Sequence, residues 1–258
     1  MVKRALLIGI NYYGTQFQLD GCINDVHNMK VYLDKQGYTV YRVLTDAPGT
    51  PAEEMPTRAA ILAGIDWLLD GATAADHLFM HYSGHGTQTI DTNHDETDGM
   101  DEAICPRDWQ TAGLLCDDDL REKLVNKSGE AQVVFVSDCC HSGTILDMRY
   151  NFTQLHKNSL LIREDEQYTP RENLVVCISG CKDKQTSADT VAYNPQMQRR
   201  QAQGALSWVL LEVLNENPAI SFKDLMCDVW GRLRLRGYAQ VPQLSCCRLL
   251  DLKSPIQL

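Results

Sequence analysis

The 258-residue sequence lacks the motifs and runs that mark several large classes of protein. It contains neither a G-x-G-x-x-G loop nor a Walker motif, so nucleotide binding has no support. It has no Cys-x-x-Cys or His-x-x-x-His arrangement with a matching second half, which argues against structural zinc. No apolar run approaches the length of a membrane-spanning helix. Internal repeats and linkers rich in Pro, Gly or Ser are missing too, which favours a single domain over residues 1–258.

Basic residues are in short supply. The chain carries 24 Lys and Arg against 34 Asp and Glu, for a formal net charge of -10. Such a surface repels phosphate backbones and anionic lipids, so we expect neither nucleic acid nor a membrane as a partner. Cationic substrates are favoured by the same field.

The ten cysteines do not form the pattern of a disulfide framework. Two adjacent pairs, Cys139-Cys140 and Cys246-Cys247, lie at the ends of or within apolar runs, where packed strands are expected. We therefore predict reduced thiols and a cytoplasmic location.

Short apolar runs alternate with helical periodicity along the whole chain, which predicts an α/β fold with a mostly parallel sheet. The predicted strands are residues 4–11, 38–44, 76–83, 131–137, 173–179 and 244–250. The predicted helices are residues 25–36, 58–70, 118–125, 202–215 and 222–235. Polar stretches at 86–102 and 146–172 interrupt the alternation, and we predict long loops there.

Reactive side chains follow two of the predicted strands, where open α/β sheets collect their active sites. His85 comes after one strand and Cys140 after another, which makes a nucleophile and base pair. His141 is a second candidate base, although residues adjacent at a strand end point to opposite sides. Cys139 is a second thiol, and burial as a small hydrophobe is the simplest interpretation of it.

Three sequence blocks, with four supporting ones, resemble the metacaspases, cysteine peptidases of the caspase-like clan. The blocks are residues 81–86, 138–143 and 178–189, and the supporting matches are 21–25, 98–108, 204–214 and 240–245. The resemblance implies a caspase-like three-layer sandwich whose mostly parallel central sheet is flanked by helices. The chain resembles a type I metacaspase that begins at the catalytic domain. This resemblance implies a larger region 1–148, a candidate processing segment 149–172 and a smaller region 173–258.

The resemblance also implies the roles of the reactive pair, with Cys140 as nucleophile and His85 as general base. No residue that orients His85 is identifiable, so only a dyad is predicted. The oxyanion formed by attack on a peptide carbonyl would be stabilised by backbone N–H groups, for which Gly86 and Cys140 are the candidates.

The charge of the residues near this pair bears on substrate specificity. Caspases proper cut after Asp, whereas Asp138 and Asp25 would bind a basic residue at P1, the position before the cut bond. The resemblance implies a pocket of this preference made of Cys22, Asp25, Ser83 and Asp138. For Asp25 alone, a role as helix N-cap is an equally good interpretation.

A second set of carboxylates is spread over separate predicted loops. Clustered carboxylates of this kind suit a hard cation, and Ca²⁺ is the usual occupant of an irregular site. The resemblance implies such a site at four positions, which are Asp101, Asp117, Asp118 and Asp147.

The sequence thus predicts a calcium-activated cysteine endopeptidase that cuts protein or peptide substrates after Arg or Lys, acts as a monomer and processes itself. The alternative is a catalytically silent caspase-like scaffold or regulatory domain. The presence of both Cys140 and His85 argues against that alternative.

Overall fold

A computed structural model describes residues 1–92, 94, 99–140, 142–156, 159–180, 189–194 and 199–258. His141 and residues 181–188 of the third motif block lie outside the described residues. Within the described part of the chain, no helix has both the length and the apolar composition needed to cross a bilayer.

Thirteen strands and six α-helices make up the described chain. The strands are β1 (Lys3–Gly9), β2 (Val40–Thr45), β3 (His77–Ser83), β4 (Gly86–Ile90), β5 (Met100–Ile104), β6 (Leu115–Cys116), β7 (Gln132–Asp138), β8 (Tyr150–His156), β9 (Ser159–Glu164), β10 (Leu174–Ser179), β11 (Asp189–Asn194), β12 (Arg199–Gly204) and β13 (Gln243–Cys246). The helices are α1 (Cys22–Lys35), α2 (Arg58–Leu69), α3 (Trp109–Ala112), α4 (Asp117–Arg121), α5 (Ala205–Glu216) and α6 (Phe222–Leu235).

Eight strands form the central sheet in the order β2-β1-β3-β7-β10-β13-β8-β9. The first five run parallel to one another, and β13, β8 and β9 each pair antiparallel with their neighbours. Strands β4, β5 and β6 form a small antiparallel sheet, and β11 pairs with β12 in a hairpin. The predicted α/β fold with a mostly parallel central sheet is therefore confirmed.

Helices cover both faces of this sheet and produce the three layers. Alternate residues of β1 face opposite sides, so Leu7 packs in one core cluster with α1, α5 and α6. Leu6 packs on the other side with Ile61 and Ile65 of α2. Because both faces are covered there, the middle parts of β1, β3, β7 and β10 are almost entirely apolar, which makes these strands recognisable as apolar runs in the sequence.

The two stretches predicted as long loops are corrected by the structure. Residues 86–102 include β4 and the start of β5, and residues 146–172 include the hairpin of β8 and β9. These strands lie outside the buried centre of the sheet, so polar and apolar residues mix in them and any apolar run is short. Most of β9 is exposed because it is the edge strand.

The carboxyl ends of the parallel strands meet at one edge of the central sheet, and this edge positions the reactive side chains. Gly9 at the end of β1 pairs with Ser83 at the end of β3, and Ser83 pairs with Asp138 at the end of β7. The segments that follow these three residues therefore begin side by side.

Candidate active site

The predicted cysteine and histidine lie on adjoining segments at this edge. His85 is two residues beyond Ser83, and Cys140 is two residues beyond its strand partner Asp138. A Cβ atom on Gly86 would lie 2.0 Å from the carbonyl oxygen of Cys140, so only glycine allows these two main chains to approach so closely. The structure therefore brings the segment of His85 against that of Cys140.

The two adjacent thiols differ in how deeply they are buried. Cys140 is half-buried and accessible to a substrate, whereas Cys139 is 1% exposed. The Cys139 sulfur lies 3.3 Å from the hydroxyl of Ser137 and packs within the apolar cluster on the α2 side of the sheet. The interpretation of Cys139 as a packed small hydrophobe is confirmed, which leaves Cys140 as the accessible thiol of the pair.

A main-chain carbonyl orients His85, and the sequence contained no signal for it. Nε2 of His85 lies 2.7 Å from the carbonyl oxygen of Phe17, in the segment between β1 and α1. A carbonyl can only accept a hydrogen bond, so Nε2 carries the proton and Nδ1 is left as the basic nitrogen. The Phe17 ring lies edge-on to the imidazole and also contacts Trp109.

The two acidic residues of the predicted pocket both adjoin the N-terminus of α5. The main-chain N–H of Gly204 donates to both oxygens of Asp25, at 3.0 and 2.9 Å, and the hydroxyl of Ser83 donates to Asp25 at 2.7 Å. The N–H of Ser207 donates to Asp138 Oδ2 at 2.8 Å. Asp25 and Asp138 are 1% and 4% exposed. Amides at the start of the helix therefore bond to both buried carboxylates.

The alternative role for Asp25 as the N-cap of its own helix is wrong. Gly21 occupies the N-cap position of α1, and Asp25 lies in the first turn with its carboxylate directed at α5 instead. The contact is made across the fold, which is why local sequence could not reveal it. Cys22, the remaining predicted pocket residue, opens α1 and is buried, with its N–H bonded to Asn11 Oδ1 at 3.0 Å.

A buried histidine extends this polar cluster. His81 lies in β3, and its Nε2 is 3.1 Å from the hydroxyl of Ser207. Its Nδ1 has no hydrogen-bond partner among the described residues. Complete burial lowers the pKa of His81 to about 3. The imidazole is therefore neutral in the folded protein, and its role is to anchor the first turn of α5.

We expect His81 to make the protein less stable as the pH falls. Its folded-state pKa of about 3 lies below the ordinary value of 6.5, so the unfolded chain binds a proton first between these values. The stabilisation is complete above pH 6.5 and is lost as the pH falls toward 3. Between pH 7 and pH 5 the loss is about 2 kcal/mol in the free energy of unfolding.

Urea unfolding of the wild type and of His81→Gln at both pH values measures this effect. The variant keeps a hydrogen-bonding side chain that does not titrate. Between pH 7 and pH 5, its free energy of unfolding should therefore fall by about 2 kcal/mol less than that of the wild type. Equal losses in the two proteins would contradict the assignment.

Three of the four carboxylates predicted to bind a cation lie together. Oxygens of Asp101, Asp117 and Asp118 all lie within 4.8 Å of one another. Burial, together with the charges of Glu102 and Asp101, raises the pKa of Asp117 to about 8. Such a cluster is over-supplied with negative charge and offers the oxygen ligands that a hard cation prefers, so the residues fit Ca²⁺.

The fourth carboxylate, Asp147, lies outside this group of three. Its segment is nevertheless tied to α4, which carries Asp117 and Asp118, because Arg121 Nε donates to the Asp147 carbonyl at 3.1 Å. The backbone of Asp147 has φ of 42°, a conformation that costs energy for a non-glycine residue. The cluster is also connected to His85, since β4 begins at the next residue and pairs with β5, where Thr89 faces Asp101.

A histidine oriented by a carbonyl, beside an accessible cysteine at the carboxyl edge of an α/β sheet, defines a cysteine-dependent hydrolase. Residues 3–149 match the family description "Metacaspase, peptidase C14 domain". Metacaspase-1A of Aspergillus terreus is 37% identical over 96% of this chain and 71% of its own length. Metacaspase-1 of Cryptococcus neoformans is 35% identical over 96% of this chain and 63% of its own. The chain belongs to the metacaspase family of cysteine-type endopeptidases.

A solved structure supports the fold independently. The crystal structure of a protein from Geobacter sulfurreducens superimposes with a TM-score of 0.69, covering 99% of this chain and 98% of that one at 24% identity. The predicted caspase-like three-layer sandwich agrees with this likeness and with the family.

Proposed function

We propose that the protein is a cysteine endopeptidase that hydrolyses peptide bonds after Arg or Lys. The observation that carries this proposal is the pair of buried carboxylates, Asp25 and Asp138, next to a histidine and an accessible cysteine. A substrate guanidinium or ammonium group is the partner that such a pair accepts. Family membership supports the peptidase chemistry, and the acidic pair supports the choice of P1 residue.

In the proposed reaction Cys140 is the nucleophile and His85 the general base. Nδ1 of His85 takes the thiol proton while Nε2 remains bonded to the Phe17 carbonyl. The sulfur attacks the peptide carbonyl, and backbone N–H groups of Gly86 and Cys140 stabilise the oxyanion. His85 returns the proton to the leaving amine, and water then hydrolyses the acyl-enzyme.

The surroundings of the carboxylates support the preference for a basic residue. The amides at the start of α5 bond to both carboxylates and carry about half an elementary charge, less than the charge of the two carboxylates. A P1 side chain of Arg or Lys adds the charge of opposite sign that such a pair favours. A close charge pair at a desolvated site contributes about 2–5 kcal/mol, which is a factor of roughly 30 to several thousand in selectivity.

Fluorogenic peptides that differ only at P1 test this proposal. We expect kcat/KM for Arg and Lys to exceed that for norleucine by about 100-fold and that for Asp by more, because Asp adds a third negative charge to the pocket. Preference for Asp would contradict the acidic-pocket assignment. Hydrolysis of none of the peptides, with or without calcium, would favour the silent scaffold instead.

We also propose that Ca²⁺ binds at Asp101, Asp117 and Asp118, with Asp147 from the neighbouring segment. Two observations support this site: the mutual approach of the three carboxylates and the raised pKa of Asp117, which reflects its burial and the nearby charges of Glu102 and Asp101. When bound, the ion neutralises these charges and draws the loops together. Through the pairing of β4 with β5 this would order the segment that carries His85.

Removal of calcium by a chelator should lower the activity by about tenfold or more, and calcium, but not the same concentration of magnesium, should restore it. Asp118→Asn should raise the calcium concentration for half-maximal activity by about tenfold. Asp119→Asn is the matched control, because the Asp119 carboxylate lies next to Asp118 in the sequence but forms an ion pair with Arg58. Full activity of the wild type in excess chelator would contradict the proposal, and so would equal shifts in the two variants.

We propose that the protein processes itself within residues 149–172, and side-chain exposure favours some basic positions of this segment over others. Arg149 is only partly exposed, because its side chain is bonded to Glu164 and to the Tyr168 carbonyl. Arg163 and Arg171 are exposed, the first on the edge strand β9 and the second after it. Lys157 lies outside the described residues. Arg163 and Arg171 are therefore the positions where we expect cleavage.

A monomer in the cytoplasm is the state that we propose for the protein. Strands β8 and β9 of the same chain extend the sheet beyond β13, and the edge strand β9 carries the charged residues Arg163 and Glu164 next to the exposed Leu161 and Ile162. Charged edge strands disfavour pairing with another chain. None of the nine cysteines among the described residues forms a disulfide, which supports a reducing compartment.

A further inference from the structure

A tyrosine hydroxyl interrupts the β-ladder beside His85. Strands β4 and β5 pair Gly86 with Ile104, so the next antiparallel pair is His85 with Cys105. One of its two backbone bonds is present, since Cys105 N–H donates to the His85 carbonyl at 3.1 Å. The reciprocal bond is replaced: His85 N–H donates to the hydroxyl of Tyr12 at 3.0 Å, and that hydroxyl donates to the Cys105 carbonyl at 2.6 Å.

A second buried tyrosine completes the arrangement. The Tyr82 hydroxyl donates to the His85 carbonyl at 2.7 Å and lies 3.2 Å from the Tyr12 hydroxyl. Burial raises the pKa of both tyrosines well above the ordinary value, so both hydroxyls keep their protons as donors. A Cβ on Gly84 would lie 2.7 Å from the Tyr82 oxygen, so the chain passes over the hydroxyls only because glycine stands there.

Tyr12 also contacts the imidazole itself. The two ring centroids are 4.7 Å apart with an angle of 41° between the planes. Tyr12 adopts φ of 52°, which is rare and costly for a bulky side chain and persists only where the surroundings enforce it. The same segment carries Phe17, whose carbonyl bonds Nε2 of His85.

We propose that Tyr12 is a positioning residue for the catalytic histidine. Its hydroxyl sets the spacing between the main chains of His85 and Cys105, and its ring fixes the tilt of the imidazole. Nδ1 of His85 is thereby aimed at the thiol of Cys140. The inference rests on the proposed function, because it assigns a purpose to Tyr12 only if His85 is the base.

The geometry indicates what the loss of this hydroxyl does. Without it, His85 N–H and the Cys105 carbonyl either stay unpaired or close the ladder directly, which draws His85 toward β5. Either outcome displaces the imidazole. A misplacement of about 1 Å at a reacting group costs on the order of 100-fold in rate, and substrate binding in the acidic pocket is not affected.

Tyr12→Phe tests the proposal by a split between kcat and KM, measured with an Arg-P1 peptide. We expect kcat to fall by about tenfold to 100-fold while KM stays within about twofold. Tyr13→Phe is the matched control, because among the described residues the Tyr13 hydroxyl bonds only to Asn11 Nδ2, and we expect its loss to leave kcat unchanged. Tyr82→Phe should have a smaller effect than Tyr12→Phe, since Cys105 N–H still holds the His85 carbonyl.

The rate of Cys140 alkylation by iodoacetamide provides a second readout, with Cys140→Ala as the background for the other thiols. Because His85 activates the thiol, Tyr12→Phe should slow alkylation in parallel with kcat, which a general loss of stability would not do below the melting temperature. Normal kcat and alkylation in Tyr12→Phe would overturn the proposal. If that variant does not fold, Tyr12→Gln takes its place: it keeps a hydrogen-bonding group but removes the ring that contacts the imidazole, and an unchanged kcat there overturns the proposal.

His85→Ala separates this result from a failure of the proposed function. If His85→Ala is inactive while Tyr12→Phe has normal kcat, the positioning role of Tyr12 is wrong and the dyad stands. If His85→Ala keeps normal turnover, the proposed function itself is wrong.

Discussion

Replacement of Cys140 by Ala is expected to abolish peptide hydrolysis and to leave the fold intact. The thiol is accessible and lies on the segment that contacts Gly86, next to the histidine that would activate it. Loss of a covalent nucleophile typically costs about 10⁴-fold or more in kcat. Turnover of an Arg-P1 peptide measures the effect, and an unchanged circular dichroism spectrum and melting temperature establish that the variant is folded.

Cys139→Ala is the matched control for this experiment. The Cys139 thiol is buried against Ser137, so its removal should cost on the order of 1 kcal/mol of stability while kcat stays within about threefold. Near-normal turnover in Cys140→Ala, or the loss of turnover in Cys139→Ala instead, would contradict the assignment of the nucleophile.

The same pair of variants tests self-processing. Incubation of the wild type with calcium should yield two fragments from a cut after Arg163 or Arg171, whereas Cys140→Ala should remain one band on a denaturing gel. A wild-type chain that stays intact after prolonged incubation would remove the processing proposal without affecting the peptidase.

Gly204→Ala is expected to lower kcat/KM for Arg and Lys substrates by about 100-fold or more, since it displaces a buried carboxylate. A Cβ at this position would lie 2.2 Å from Asp138 Oδ2 and 2.9 Å from Asp25 Oδ2. Gly204 has φ of -67° and ψ of 140°, which alanine adopts without strain, so the effect is a collision with the acidic pair alone. The carboxylates must move, and the contacts to α5 are lost with them.

Gly231→Ala provides the control for Gly204→Ala. A Cβ on Gly231 in α6 meets no atom within 4 Å, so this variant should be as active as the wild type and more stable by about 0.5–1 kcal/mol. Comparison of kcat/KM for Arg-P1 and norleucine-P1 peptides isolates the pocket. If Gly204→Ala lowers both equally, or neither, the carboxylates next to Gly204 do not form the specificity pocket.

Much of the fold could be predicted from the sequence because the central strands are buried on both faces. The predicted strands 4–11 and 76–83 correspond closely to β1 and β3, and the predicted helix 222–235 coincides with α6. The hairpin of β8 and β9 was missed, because polar residues interrupt β8 and the apolar run of the edge strand β9 is only three residues long, from Leu160 to Ile162. The strands could be predicted where burial selects apolar residues, and intrinsic strand propensity contributed less.

The reactive residues could also be predicted from the sequence, whereas the groups that surround them could not. His85, Cys140, Asp25 and Asp138 are side chains with distinctive chemistry, placed at strand ends whose position in a parallel sheet is predictable. The Phe17 carbonyl is a group that every residue possesses, so no sequence pattern could single it out. The same holds for the amides of Gly204 and Ser207 that bond the acidic pair.

The sequence by itself determined the α/β class, the thiol and imidazole at the carboxyl edge of the sheet, and the excess of negative charge near them. Only the tertiary structure decided how these groups are held: a carbonyl orients the imidazole, the start of a distant helix bonds the carboxylates, and the hydroxyl of Tyr12 replaces a backbone bond beside His85. The physical reason is that composition and periodicity record which side chains are buried. Main-chain N–H and carbonyl groups are the same in nearly every residue, so the sequence does not show which of them will form a given hydrogen bond. The tertiary fold decides their partners.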